Sequence, residues 1–329
     1  MKKLIILLFS ILLIACGSND PENKPSESAL SDLDLLNLAV KDNSLEAQPY
    51  IDRSDYFVKN KQSSQAQSDL EMAVKLEADN AQALLKLAEL LFQQNNTRGT
   101  KELLYQAIHA DSSSTDAYLK LGELYMYLAQ YDSTFKYVNI ALKKDDEIAK
   151  AYFLKGMAYK YSNNLKFAKS SFQTTVELDP DYYHAFIQLG ALSALDNDPL
   201  AVTYYQNALS INPKSVEALY HMAYFLQSNS DTLGACQAYE AIRDIDPNHT
   251  DALYNLGYIE FEIKKDTDKA LAYFQEVLKI RRSHSKALYM IGLCFETKGE
   301  LDKAQSYYQE SAESNPAFKL AKEGLNRIK

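Results

Sequence analysis

The chain repeats itself every 34 residues, and that period restricts its fold more than any other property. The unit is clearest in 149–182. There, two amphipathic runs with helical spacing are joined by Ser162-Asn163-Asn164, and the second run ends at Asp179-Pro180. Sliding the frame finds eight units: 47–80, 81–114, 115–148, 149–182, 183–215, 216–249, 250–284 and 285–318. Two are off length. The fifth lacks one residue around Asp196-Asn197-Asp198-Pro199, and the seventh gains one around Lys264-Lys265-Asp266. Both changes are expected in turns, where length varies at least cost. A unit this small cannot bury its own apolar face, so neighbours must stack into one continuous core.

Each recurring place has a packing reason. The eighth place is Ser54, Ala88, Gly122, Gly156, Gly190, Ala223, Gly257 or Gly292. Glycine inside a helix costs ~1 kcal/mol relative to alanine, so glycines in register imply a close neighbour. A small residue opens the inner face of each second run: Ala66, Thr100, Thr134, Ala168, Ala201, Ala235, Ala270 or Ala304. A large apolar residue follows four places later, from Leu70 through Phe172 and Tyr205 to Tyr308. Pro180, Pro213, Pro247 and Pro316 close four of the units, and Ala78, Ser112, Asp146 and Arg282 stand there in the others. Glu260 takes a place that is elsewhere mostly aromatic or Leu, so a local helix distortion is expected near it.

Tyr152, Gly156, Tyr159, Ala168, Phe172, Thr175 and Pro180, at this spacing, resemble the tetratricopeptide repeat, a helix–turn–helix of the same period. The resemblance implies an all-α fold: a right-handed α-solenoid, or superhelix, of eight such repeats with a terminal capping helix. Residues 30–46 read as a half-repeat helix in which Leu33, Leu36, Val40 and Leu45 cover the open end of the first unit. Residues 319–329 read as the capping helix, with Leu320, Leu325 and Ile328 facing back and the lysines and Arg327 facing water.

Lys2 and Lys3 precede an apolar run that ends at Leu13-Ile14-Ala15-Cys16. The run is short for a ~30 Å hydrocarbon core and fits a secretory signal at 1–15. Its ending resembles a bacterial lipobox, which implies cleavage before Cys16 and lipid on that cysteine. Residues 16–29 are then a polar, proline-bearing tether. The implied location is the bacterial cell envelope. Gly17 after the lipidated cysteine favours the outer membrane by resemblance to enterobacterial sorting.

The net charge of −9 becomes −11 once Lys2 and Lys3 are removed. That balance suits neither nucleic-acid phosphates nor an anionic bilayer, so membrane affinity has to come from the lipid. The five histidines are scattered, and HExxH, GxSxG and glycine-rich phosphate loops are absent. No catalytic residue, metal site or cofactor is expected. Cys236 and Cys294 lie two units apart, too far for a disulfide.

The remaining candidate is a binding face. At 100° per residue, the second, fifth, ninth and twelfth places of a unit form a stripe separate from the packing motif. In the resembled family this stripe lines the concave groove. Its amino-terminal part carries an acidic ladder, Asp55, Glu89 and Glu123. Its carboxy-terminal part carries Tyr220, Tyr224, Tyr254, Tyr258 and Tyr289, with Phe261 nearby. The leading expectation is a non-catalytic, lipid-anchored envelope scaffold that binds a protein or extended peptide in this groove. The alternative is a surface-exposed receptor lipoprotein capturing a glycan or a peptide.

Overall fold

A computed structural model describes residues 30–329. The signal-like run, Cys16 and the tether lie outside the described residues. The described residues form eighteen α-helices and one π-helical turn, with no strand among them. They divide into two compact units, one ending at Ala78 and one spanning Asp79–Lys329.

The first unit holds α1 (Asp32–Asp42), α2 (Gln48–Lys59) and α3 (Ser63–Leu76). A reciprocal cap opens α1: Ser31 Oγ accepts from the Asp34 amide at 3.2 Å, and the Asp34 carboxylate accepts from the Ser31 amide at 3.2 Å. Val40 is buried and Leu33 and Leu36 are half-buried, but Leu45 is 84% exposed, contrary to expectation. The helix stops at Asp42, which leaves Leu45 in the connection to α2 with no face to pack on. Arg53 ties the three helices together. It grips Asp69 of α3 with two bonds, at 2.8 and 2.7 Å, and donates to Asn37 of α1 at 2.9 Å.

The second unit holds α4 (Ala81–Gln93), α5 (Thr97–Ala110), α6 (Thr115–Tyr127), α7 (Tyr131–Leu142), α8 (Ala149–Tyr161), α9 (Leu165–Leu178), α10 (Tyr183–Leu195), α11 (Leu200–Ile211), α12 (Val216–Ser228), α13 (Thr232–Ile245), α14 (Thr250–Tyr258), α15 (Thr267–Ile280), α16 (Ser285–Thr297), α17 (Leu301–Ser314) and α18 (Lys319–Arg327). The π-helical turn Ile259–Ile263 continues α14. Each helix packs on the next, and first helices also touch the first helix of the following repeat, as α4 does α6, α6 does α8 and α10 does α12. This all-α repeat architecture is the fold class that the period implies.

One backbone device recurs in the turns between paired helices. Lys61, Asn95, Ala129, Asn163, Asn197, Ser230, Lys265 and Gly299 all have positive φ, between 54° and 76°. At Asn163 the left-handed residue turns the chain so that the Asn164 amide reaches Tyr159 O at 2.8 Å and its own amide reaches Lys160 O at 3.1 Å. Those bonds satisfy carbonyls that the helix end would otherwise strand.

The glycines in register have a definite neighbour. A Cβ on Gly156 would stand 2.5 Å from the Phe172 ring, and one on Gly190 or Gly292 would stand 2.5 Å from Tyr205 or Tyr308. The large residue of the second helix therefore lies flat on the backbone of the first. The small residues that open the second helices, from Ala66 to Ala304, are buried as well.

The extra residue of the seventh unit is not in the turn, where the sequence places it. It is wound into the helix as the π-helical turn, with the Lys264 amide donating to Ile259 O at 3.0 Å. Lys265 keeps the left-handed turn geometry. Glu260, the anticipated point of distortion, is buried there and paired to Lys264 at 2.8 Å.

The C-terminal helix differs from expectation at one residue. Leu320 is exposed, while Ala321 and Gly324 make the contact, because Gly324 lets the Tyr308 ring approach. Arg327 is exposed, as expected, and is also engaged. It holds Glu296 at 2.6 and 2.8 Å and donates to the Tyr308 hydroxyl at 3.2 Å. The guanidinium keeps the Glu296 carboxyl below its usual range.

Candidate partner-binding site

Between α12, α14 and the start of α16 lies a cleft of about 400 Å³. It is lined by Tyr220, Tyr224 and Tyr254, by Asp251 and Asn255 of α14, and by Arg281, Ser283, His284, Ser285 and Lys286 from the end of α15 to the start of α16. Three of the six aromatic candidates thus meet in one place. Tyr224 is the most open, 61% exposed.

The other three do not line it. Tyr258 is partly exposed one turn further along α14. Phe261 lies on the π-helical turn against the core of α15 and α16. Tyr289 packs on Tyr308 and Phe318, with ring centroids 5.5 and 5.6 Å away.

The fifth place is not the free stripe that helical geometry suggests. Ile51, Leu119 and Ile187 are buried there. Tyr220 packs edge-on to Tyr239 and tilted against His249, and Tyr254 packs tilted against Phe274 and His284, with ring centroids 5.5 to 6.1 Å apart. Each fifth-place ring is wedged between the large residue of its own second helix and the last residue of its unit. Burial pushes the Tyr254 hydroxyl up to about 12, with Tyr258 and Tyr289 adding to the shift. The ninth place is the open one.

The acidic ladder is partly neutralised. Lys120 donates to Glu89 at 2.7 Å, and Lys150 donates to Glu123 at 2.7 Å. Both pairs border a smaller cleft of about 210 Å³ floored by Ala88 and Leu104. Asp55 belongs to the other unit and is exposed.

Two histidines in this region cap helices. The Nδ1 atoms of His249 and His284 accept from the amides of Ala252 and Ala287, each at 3.1 Å. Only the unprotonated nitrogen can accept. Burial, aided by Arg281, lowers the His284 pKa from its ordinary 6.5. The folded state thus favours the neutral ring, and this contribution is full above pH 6.5 and is lost as pH falls below it. Thermal melting of the wild type should drop more between pH 7.5 and pH 5 than that of His284→Ser, whose hydroxyl caps at either pH. Equal drops would remove the cap from the pH response.

Cys236 and Cys294 are both buried free thiols, and burial pushes Cys294 up to about 12. Among the described residues no group of three or more His, Cys, Asp or Glu could hold a metal ion. No described helix is long and apolar enough to cross a membrane.

Family profiles described as Tetratricopeptide repeat match residues 51–99, 149–182, 204–237, 226–284 and 264–317, together more than half of the chain. Among solved structures, YrrB, titled "a TPR protein with an unusual peptide-binding site", is 25% identical with a TM-score of 0.51, over 57% of this chain and 97% of that one. The C-terminal part of a TPR repeat-containing protein from Cytophaga hutchinsonii is 17% identical with a TM-score of 0.65, over 73% and 99%. PilF of Pseudomonas aeruginosa is 21% identical with a TM-score of 0.53, over 61% and 92%. A curated relative, Protein O-mannosyl-transferase TMTC3 of Homo sapiens, is 26% identical over 112 residues, and the match spans only 12% of its length. The recurring glycine–ring contacts, the eighteen helices and these matches agree, and the chain belongs to the tetratricopeptide-repeat family.

Proposed function

We propose that this chain is a non-catalytic scaffold that holds a protein or extended peptide partner on the first-helix face of its carboxy-terminal repeats. The observation that carries the reading is the cleft shared by Tyr220, Tyr224 and Tyr254 with Arg281 and Lys286. Tyrosines offer large contact area at low entropy cost. Asn255 can pair with a peptide backbone, and the two cations favour an acidic residue in the partner. YrrB, a TPR protein described as having an unusual peptide-binding site, supports the reading by likeness.

Tyr224 and Tyr258 are exposed, so replacing both by alanine should leave helicity intact. Hot spots of this type cost about 2 kcal/mol or more, roughly thirtyfold in affinity. The double variant should therefore lose partners that the wild type captures from detergent-solubilised envelopes. Undiminished capture by a folded double variant would move the site elsewhere.

The same reading puts the protein in a bacterial envelope, held by lipid on Cys16 at the outer membrane. The lipobox-like Leu13-Ile14-Ala15-Cys16 supports it. Cys16→Ala should abolish fatty-acid labelling and leave the precursor uncut at that position. Mature wild-type protein in the soluble fraction without lipid would refute the anchor and leave the binding cleft untouched.

A further inference from the structure

We propose that the tyrosine cleft is one half of a two-part site, and that its partner is an internal peptide segment that sets an apolar side chain on one side of Tyr224 and an acidic side chain on the other. This rests on the reading of the cleft given above and adds the chemistry of what it holds.

The second half is a cleft of about 250 Å³ between α10 and α12. Its lining includes Ala191 and Ala194 of α10, Tyr205 of α11, and His221, Tyr224 and Phe225 of α12. Tyr224 lines this cleft and the larger one alike, so the two are neighbours that share a wall. The helices α10, α12 and α14 follow in order along the array. The smaller cleft therefore lies on the amino-terminal side of Tyr224, and the cleft with Arg281 and Lys286 on its carboxy-terminal side.

The smaller cleft exists because two large side chains are missing from the groove stripe. The fifth unit alone has alanine at both the ninth and the twelfth place, where the sixth has Tyr224 and Gln227 and the fourth has Met157 and Lys160. Packing of the array does not demand small residues there, since Tyr224 and Phe92 occupy these places in other units. Ala191 and Ala194 are themselves only half-buried. The rings of the lining are fixed: Tyr205 and Phe225 are buried, and His221 stacks on Tyr205 with centroids 5.9 Å apart. The volume falls below the ~300 Å³ at which small-molecule pockets begin, and it suits one large apolar side chain.

Charge decides the other half. Arg281 and Lys286 are exposed, and the ion pairs of the described residues leave both of them out, in a chain of net charge −9. Asp251 is the single carboxylate on that lining, so two cations stand against one anion. An acidic side chain fits there and a basic one does not. Exposed charges of this kind supply selectivity more than affinity. Affinity comes from the apolar side chain buried beside Tyr224 and from the ring itself. A purely acidic segment lacks the first contribution, and a purely apolar one lacks the second.

The test pans a phage library of random twelve-residue peptides on the purified full chain and remakes the best binder as a labelled peptide with both ends capped. The selected sequences should pair a large apolar residue with a nearby Asp or Glu. In fluorescence anisotropy at low salt, changing the apolar residue to Ser should weaken binding at least tenfold, and changing the acid to its amide at least fivefold. Ala191→Leu, which fills the smaller cleft, and Arg281→Gln with Lys286→Gln, which neutralises the larger, should weaken the capped peptide by the same factors with unchanged circular dichroism. Ala194→Leu fills the same cleft and takes the place of Ala191→Leu should that variant misfold. The losses should be crossed. The filled variant stops responding to the peptide's apolar residue but still responds to its acid, and the Gln pair does the reverse. Selected peptides that lack either residue type, an uncrossed pattern, or variants that bind like wild type overturn the two-part site. Binding only by a peptide with a free carboxyl end also overturns it. Tyr224→Ala with Tyr258→Ala reads the cleft itself, through capture of natural partners. Capture lost in that variant beside an uncrossed peptide pattern removes this inference and keeps the cleft as the partner site, whereas undiminished capture removes both.

Discussion

Arg53→Ala should cost the amino-terminal unit roughly 3–5 kcal/mol, because it strands the buried Asp69 carboxylate. Arg53 meets that carboxylate with two bonds, 2.8 and 2.7 Å long, and its third contact is Asn37 at 2.9 Å. Asp69 is 5% exposed, so water cannot replace the lost partner without opening the packing of α2 on α3. The Arg53 guanidinium also lies over the Tyr50 and Phe57 rings, 5.8 Å from each centroid, so these cation–π contacts are lost together with the ion pair. Hydrogen exchange of α2 and α3 amides reads the loss locally. The paired change Arg53→Met with Asp69→Leu should restore most of the stability, since an apolar pair of similar volume serves as well as a buried ion pair. A single-variant loss below about 1 kcal/mol would mean that the pair is effectively solvated.

Gly190→Ala should destabilise the array even though alanine is the better helix former. The propensity gain is ~1 kcal/mol. Against it, the new Cβ would stand 2.5 Å from Tyr205 Cε1 and 2.7 Å from its Cδ1. Tyr205 is 1% exposed and one of the largest fully buried side chains, so its ring cannot swing into solvent. Overpacking of this kind costs about 1–3 kcal/mol, and the net change should be a loss of up to about 2 kcal/mol in urea melts. Gly190→Leu should lose more. Ser210→Ala, on the exposed face of α11, serves as the propensity control and should be neutral or slightly stabilising. A more stable Gly190→Ala protein would mean that the ring relaxes freely and that the glycine register has another cause.

These two sites differ in how far the sequence announces them. The glycine at the eighth place and the ring in the second helix could be read together, because a costly glycine repeated at one phase has few explanations besides close approach. The Arg53–Asp69 clamp has no counterpart in other units, so periodicity says nothing about it. Reading one place down the array also hid the cross-repeat lysines. Lys120 and Lys150 occupy different places of the units following Glu89 and Glu123, and only the stacking brings each pair to 2.7 Å. The helical wheel put the fifth-place tyrosines on an open stripe. It gives an angle but not what covers that angle, and here the last residue of each unit covers it. Arg281 comes to the cleft from an inter-repeat turn, outside any stripe drawn on a first helix.

The π-helical turn at Ile259–Ile263 bears on how such a chain can change length through descent. In a heptad coil, one added residue shifts every later side chain off the seam. Here Gly257 and Phe274 are one residue further apart in sequence than Gly292 and Tyr308, yet Gly257 still faces the Phe274 ring, at 2.8 Å from a would-be Cβ. The added residue is wound up as backbone before the next turn begins, and α16 meets α15 as though nothing had been inserted. Phase is restored within the repeat that lost it. This insertion is therefore a local event, and what is kept from repeat to repeat is the contact between the first-helix backbone and the large residue of the second helix, whatever the residue count between them.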